Sequence, residues 1–326
     1  MKKLLSEHGL HAKDKSIRVQ RGVKERFTAG LQRSGRYLDQ MQWIFQEEGL
    51  PTELLYLPLV ESSFNIRARS HAGAVGIWQF TRSTGRKYLR VNRRVDERKD
   101  PLESTRAAAR LLKKNYKIFG NWPLAITAYN HGREGLLQAV AEVGSKNLVD
   151  IIRHYESRSF GFASKNFYAE FLAAKELAAN AEKLFPDLET QMPFHLKELE
   201  IKRPISLAAL LKYAKISRHD FLEWNPALSR RIRTIPRGYR AKVPPEKLQG
   251  LIEAHRRVVK RSHFKHKSRS GCKGAVSWIC HRVRFGETLS QLARRYGTSV
   301  RKIQHLNKLF SVHFIVAGRY LRIPTR

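Results

Sequence analysis

The C-terminal part of this chain repeats itself, and nothing else in the sequence limits its fold so strongly. Sliding the chain by 82 residues brings Ser206-Leu207, Leu210, Ser217, Phe221 and Asn225 onto Thr288-Leu289, Leu292, Ser299, Ile303 and Asn307. After a gap of two residues, Gly238 and Val243-Pro244 fall on Gly318 and Ile323-Pro324. A repeat of this length means that one small supersecondary unit has been built twice. Each copy predicts strand, helix, short loop, helix and strand, over residues 193–246 and 277–326.

At 326 residues the chain has room for a larger domain ahead of the copies. Its patterning is helical throughout, with no strand-like alternation up to about residue 185. Phe27, Leu31, Leu38, Met41 and Phe45 form one stripe and predict a single helix over 22–48, stopped by Gly49 and Pro51. Pro58 predicts the start of a short helix that carries Glu61 in its last turn, and residues 65–76 predict a loop. Asp100 and Pro101 predict a capped helix start, with Glu103 at the capping-box position. That helix should bury Ala108, Leu111, Leu112, Tyr116 and Phe119. The VDERKDP segment before it alternates charges as a solvated loop would, so Asp96, Glu97, Asp100 and Glu103 read as structural. Another helix runs from Pro123 to His131-Gly132, with His131 read as a cap. The next places Phe167, Phe171, Ala174 and Ala178 on a core face.

One stretch carries chemistry. Leu57 to Phe80 reads LPLVESSFNIRARSHAGAVGIWQF and holds a single carboxylate, Glu61. Between Val60 and Phe64 that carboxyl should be partly desolvated, which raises its pKa. A carboxyl protonated near neutral pH can donate a proton to a leaving oxygen. Taken alone, Glu61 reads rather as an amphipathic-helix residue facing water.

The block E-S-S-F-N-x-x-A-x-S-x-A-G-A-x-G-I-W-Q, followed by Ala128-Tyr129-Asn130, resembles the family 1 lytic transglycosylases. The likeness is to the membrane-bound lytic murein transglycosylase D type, whose catalytic domain is similar to goose lysozyme. The second repeat copy, HRVRFGETLSQLARRYGTSVRKIQHLN…GRYLRIP, resembles the LysM module, a βααβ fold that binds N-acetylglucosamine-containing glycans. The first copy lacks the Gly-Glu-Thr-Leu start and reads as a degenerate relative. The resemblance implies a mainly α protein: a tail at 1–20, a lysozyme-like helical catalytic domain at 21–188, a degenerate LysM-like module at 193–246, a basic linker at 247–276 and a LysM domain at 277–326.

It also implies a reaction. Glu61 would protonate the oxygen between N-acetylmuramic acid and N-acetylglucosamine while the substrate's own N-acetyl group steadies the cationic centre. The same Glu61 would then take the proton of the muramic acid C6 hydroxyl, closing a 1,6-anhydro ring without consuming water. Ser70 is implied near the N-acetyl group, Gln79 on substrate near Glu61, and Tyr129 on Glu61 or the N-acetyl region. Asn130 belongs to the same substrate-binding set and holds the tyrosine-bearing turn. No metal and no cofactor are implied. The chain departs from the family pattern at Ile77-Trp78 and at His131. A lysozyme-type hydrolase on the same fold, or a glycan-binding protein without catalysis, stays open.

Charge bears on partners. Lys and Arg number 63 against 28 Asp and Glu, a net +35, which favours polyanions or anionic surfaces. No zinc-finger spacing or RNA-binding aromatic motif accompanies it, so specific nucleic-acid binding is not expected; peptidoglycan strands are. Arg256 to Lys273 carries eight Lys and Arg and no acid, and reads as a disordered, self-repelling linker. It is either a tether to an anionic membrane surface or polymer, or merely solvated. Cys272 and Cys280 match no metal-site spacing, and an oxidising compartment would permit a disulfide. The family implies the bacterial envelope, periplasmic or outer-membrane associated. The start, MKKLLSEHGLHAKDKS, nevertheless lacks the apolar run of a signal peptide.

Overall fold

A computed structural model describes residues 24–269, 278–309 and 315–324. The expected tail at 1–20 and Cys272 lie outside them. The described part up to Leu211, with Lys215–Gln249, forms one compact unit; Lys212–Ala214 with the described residues from Gly250 on forms another.

Two helices, α1 (Lys24–Ser34) and α2 (Leu38–Glu47), stand where one was predicted over 22–48. The break falls at Gly35, where an added Cβ would lie 2.6 Å from the Gln191 carbonyl oxygen. The chain returns there: Gln191 N donates to Gln32 O and Phe194 N to Arg36 O. Periodicity could not show the break, because both helices keep one apolar face on one core.

A 3₁₀ turn (Thr52–Tyr56) leads into α3 (Leu57–Glu61), with Pro58 in its first turn as expected. Then come α4 (Arg82–Tyr88), α5 (Pro101–Phe119), α6 (Trp122–His131), α7 (Arg133–Val143), α8 (Leu148–His154), α9 (Phe162–Ala179) and α10 (Ala181–Leu184). Asp100 caps α5 by accepting from Leu102 N and Glu103 N. Met41, Phe45, Leu57, Trp78, Ala108 and Leu112 lie in one core cluster around α5, joined by Phe171 of α9. Each large apolar side chain so buried contributes about 1.5–3 kcal/mol of transfer free energy. Tyr116, predicted inside, is exposed and stacks on Trp122 at 4.4 Å. Asn115 is buried instead, its amide donating to Ala125 O and joining α5 to α6.

The first repeat copy follows as β1 (Lys197–Glu200), β2 (Ile205–Ser206), α11 (Leu207–Ala214), α12 (Arg218–Trp224), β3 (Thr234–Ile235) and β4 (Arg240–Val243). β1 pairs antiparallel with β4, Lys197 opposite Val243, and β2 with β3. This copy is fastened to the helical domain by Lys242, whose ammonium is 1% exposed and lies 2.9 Å from Asp100, 3.5 Å from Glu103 and 3.7 Å from Glu198. Burial pulls the Lys242 pKa down, but the three carboxylates outweigh it and leave it above the ordinary lysine value. The VDERKDP segment is therefore not the solvated loop its charges suggested. Arg98 and Asp100 are buried.

Next is α13 (Pro245–Arg269), a helix where a disordered linker was expected from Arg256. Leu251 and Ala254 are buried, and no Gly or Pro interrupts 251–269, so its Lys and Arg act as the helix formers they are. The second copy comprises β5 (Trp278–Arg282), α14 (Leu289–Arg295), α15 (Val300–Asn307) and β6 (Tyr320–Pro324), with β5 antiparallel to β6. Both copies share one fastener. Asn225 donates to Phe221 O and Lys242 O and accepts from Lys242 N. Asn307 does the same with Ile303 O, Arg322 O and Arg322 N. Cys280 is disulfide-bonded.

Candidate active site

Glu61 ends α3, and the serines after it shape the chain. Ser62 N and Phe64 N both donate to Pro58 O, closing the helix abruptly. Ser63 and Phe64 then take φ of +51° and +55°, a left-handed backbone costing about 1 kcal/mol or more per residue. The surroundings hold it: Ser62 Oγ donates to Ile77 O at 2.8 Å and Arg33 Nε to Ser63 O at 2.8 Å. α1 crosses closely enough that a Cβ on Gly30 would lie 3.0 Å from Ser63 Cβ. The two serines of E-S-S-F are thus staples for the turn that follows Glu61.

The small-residue turn ahead of Trp78 is built around Gly76. Its φ is +83°, and a Cβ would collide with the Arg98 carbonyl oxygen. Arg98 in turn braces the turn: its guanidinium bonds both Asp96 carboxylate oxygens and donates to Gly73 O and Phe80 O. Trp78 is fully buried, stacked on Phe45, with its indole N–H donating to Thr105 Oγ1 at 2.9 Å. Its carbonyl oxygen accepts the Tyr129 hydroxyl at 2.7 Å, which ties α6 to this turn.

Gln79 follows with φ of +46° and donates its amide to Gly76 O at 2.7 Å. Ser70 Oγ accepts from Ala74 N at 3.0 Å and so closes the other end of the loop. Asn130 is exposed, and its Oδ1 accepts from the Ser164 hydroxyl at 3.3 Å. His131 is not the cap it was read as; Gly132 holds that position. The imidazole instead lies 3.2 Å from Ser164 Oγ and edge-on to Phe160, joining α6 to α9.

The electrostatics centre on Glu61. Partial burial pushes its carboxyl up to about 8, and the Glu170 carboxylate adds to the effect. Among the described residues Glu61 has no ion-pair partner. Burial pushes the Tyr129 phenol well above its ordinary value, and the Glu61 charge contributes. Glu170 lies exposed on α9, and desolvation by its neighbours raises its own carboxyl pKa. The expected site residues therefore fall into two groups. Tyr129 senses the Glu61 charge, with Gln79 on the turn that Tyr129 grips; Ser70 closes the neighbouring loop, and Asn130 ties α6 to α9. Reading α9 only for its aromatic face missed Glu170. Its place at the rim of that face, three residues after Phe167 and four before Ala174, was the available signal. A carboxyl with a pKa near 8 is mostly protonated at neutral pH and can act as a proton donor there.

Residues 41–151 match the Transglycosylase SLT domain, and residues 281–324 match the LysM domain. The chain thus carries one of each. It is 28% identical to the membrane-bound lytic murein transglycosylase D of Escherichia coli strain K12 and to that of strain O6:H1, over 82% of this chain and 60% of each relative. It spans about 60% of those relatives' length. The 70 kDa soluble lytic transglycosylase of Escherichia coli superposes with a TM-score of 0.36 and 19% identity, over 48% of this chain and 25% of that one, a score that carries no argument about fold.

Proposed function

We propose that this chain, with its SLT transglycosylase domain and LysM domain, is a peptidoglycan lytic transglycosylase acting on the bond from N-acetylmuramic acid to N-acetylglucosamine. The observation that carries the reading is a partly buried carboxyl inside the SLT match, Glu61, without an ion pair among the described residues and with its pKa near 8. Glu61 arrives protonated and gives its proton to the leaving oxygen. The departing bond leaves positive charge at C1, which the substrate's N-acetyl oxygen can stabilise. Glu61, now a carboxylate, takes the C6 hydroxyl proton as that oxygen closes the anhydro ring. Proton and charge balance without water, and Glu61 ends protonated as it began.

The neighbours fit supporting roles. Ser70 and Gln79 are neutral polar groups suited to orienting the sugar without neutralising Glu61. Tyr129 steadies the Glu61 surroundings through its grip on the Trp78 carbonyl. Asn130 acts through the turn that carries Tyr129, fastened to Ser164. The LysM domain would hold the glycan strand. A cell-envelope location follows from the name of the relatives, although no described helix is long and apolar enough to cross a membrane.

A hydrolase reading has one observation in its favour, since Glu170 supplies a second carboxylate near Glu61. Asp96 and Asp100 are poor candidates for a water-activating base, being paired with Arg98 and Lys242. Product analysis decides. Digested sacculi should end in 1,6-anhydro-muramic acid, lighter by one water than hydrolysis ends and inert to borohydride. Glu61→Gln should abolish release. Reducing ends as the sole product would make water the nucleophile and Glu170 its base.

A further inference from the structure

A groove of about 1270 Å³ opens between the helical domain and the first repeat copy, within one compact unit. Glu61, Gln79 and Tyr129 are not in its wall, so it is distinct from the site above. One side is the loop after Glu61, residues 64–69, together with the turn at 92–99; the other is α12 and the residues after it. The seam beneath is tight: Asp96 N donates to Ala227 O at 2.8 Å and Ser229 N to Arg94 O at 2.9 Å. Within the first copy, Arg218 holds the chain after α12 by donating to Arg230 O and Ile232 O.

The charge in this groove is one-sided. Its acids already face cations: Asp96 lies 2.9 Å from Arg98, Asp100 2.9 Å from Lys242, and Glu223 3.8 Å from Arg36. Arg67, Arg69, Arg93, Arg94 and Arg230 are exposed on its walls and have no acidic partner among the described residues. Guanidinium groups gathered around one concavity repel one another, and the concavity concentrates their field. Tyr37 and Trp224 supply flat faces beside them. The arrangement suits carboxylates or phosphates, which a guanidinium binds through two parallel hydrogen bonds.

The geometry points to this groove as an accessory subsite for the carboxylates of peptide substituents on the glycan strand, an inference that rests on the function proposed above. Arg69 is joined directly to Ser70, so a strand seated at Ser70 presents its substituents within a few ångströms of the groove. A flat lipid surface would meet only the rim. The first copy would then serve the enzyme by completing this wall rather than by gripping sugar.

The test compares wild type with Arg93→Gln/Arg94→Gln/Arg230→Gln. These side chains are exposed, and the hydrogen bonds made by residues 94 and 230 are backbone ones that the substitutions leave in place. kcat/KM is measured on strands bearing peptides and on strands stripped of them by an amidase, with thermal melts to confirm folding. Wild type should prefer peptide-bearing strands. The variant should reduce that preference about 10-fold, chiefly through KM, and added salt should erode it in wild type. An unchanged preference overturns the inference. So does an unchanged preference accompanied by lost binding of inorganic polyphosphate, which would assign the groove to a phosphate polymer. Wild type that releases nothing from either strand overturns the function itself, and this inference with it.

Discussion

At the residue scale, on the function proposed above, the protonation of Glu61 should set activity as well as stability. Its carboxyl titrates near 8 instead of its ordinary 4.5, so kcat/KM on soluble glycans should fall tenfold per pH unit above about pH 8. A limb breaking near pH 5 would show an unperturbed carboxyl and sink the proton-donor role. Glu170→Gln removes a neighbouring negative charge, which lowers the Glu61 pKa and moves the limb to lower pH. The move should be partial, because burial is the larger cause. Stability follows the same proton. A raised carboxyl pKa means the folded state binds the proton more tightly, so that contribution is complete below about pH 4.5 and is lost as pH climbs toward 8. Glu61→Gln should therefore be more stable than wild type by about 4 kcal/mol at pH 8 and nearly equal to it at pH 4, by urea unfolding.

At the element scale, the fastening of the first repeat copy to α5 depends on one ammonium. Lys242→Met would leave Asp100, which is fully buried, facing Glu103 and Glu198 without its cation. Removing one partner of a buried pair costs about 3–5 kcal/mol. The loss should appear as a lower urea midpoint for the unit holding α1–α10 and β1–β4. A cost under about 0.5 kcal/mol would mean that the copy is held by its apolar contacts alone. The turn at Gly76 is equally intolerant. Gly76→Ala drives a methyl into the Arg98 carbonyl and should cost about 3 kcal/mol or more, with Trp78 fluorescence reporting the displaced turn.

At the scale of the whole molecule, the proposed function puts two sugar-directed modules on one chain, which would act through effective concentration. Deleting residues 277–326 should weaken binding to insoluble peptidoglycan on the order of 10- to 100-fold. Turnover of short soluble glycans should be spared, since they gain nothing from a second anchor. Equal loss on both substrates would assign the LysM domain a part in the chemistry. The net charge of +35 belongs to this scale too. It is not all linker charge, because unpaired arginines line the groove beside the first copy.

The sequence by itself determined the helical first part, the βααβ plan of the second copy, the outer strands and helix pair of the first, which adds the pair β2–β3, and the glutamate in its apolar setting. These depend on local periodicity, on capping residues such as Pro58 and Asp100, and on short motifs with fixed spacing. The shared Asn225 and Asn307 fastener was legible as a repeated letter before its hydrogen bonds were known. Only tertiary structure decided what rests on distant residues meeting. Gly35 breaks a helix because residues near 191 return across it. Lys242 is buried because carboxylates from elsewhere neutralise it, and Arg98 because the Gly73 and Phe80 carbonyls join its neighbour Asp96 around it, whereas a charged letter in sequence reads as solvated. Glu170 acts on Glu61 through its charge across 109 positions of chain; its place at the rim of a helix face was legible, but not which residue that rim would neighbour. The arginine groove exists only because the first copy packs against the helical domain. Charge and burial are properties of surroundings, and surroundings are made by the fold.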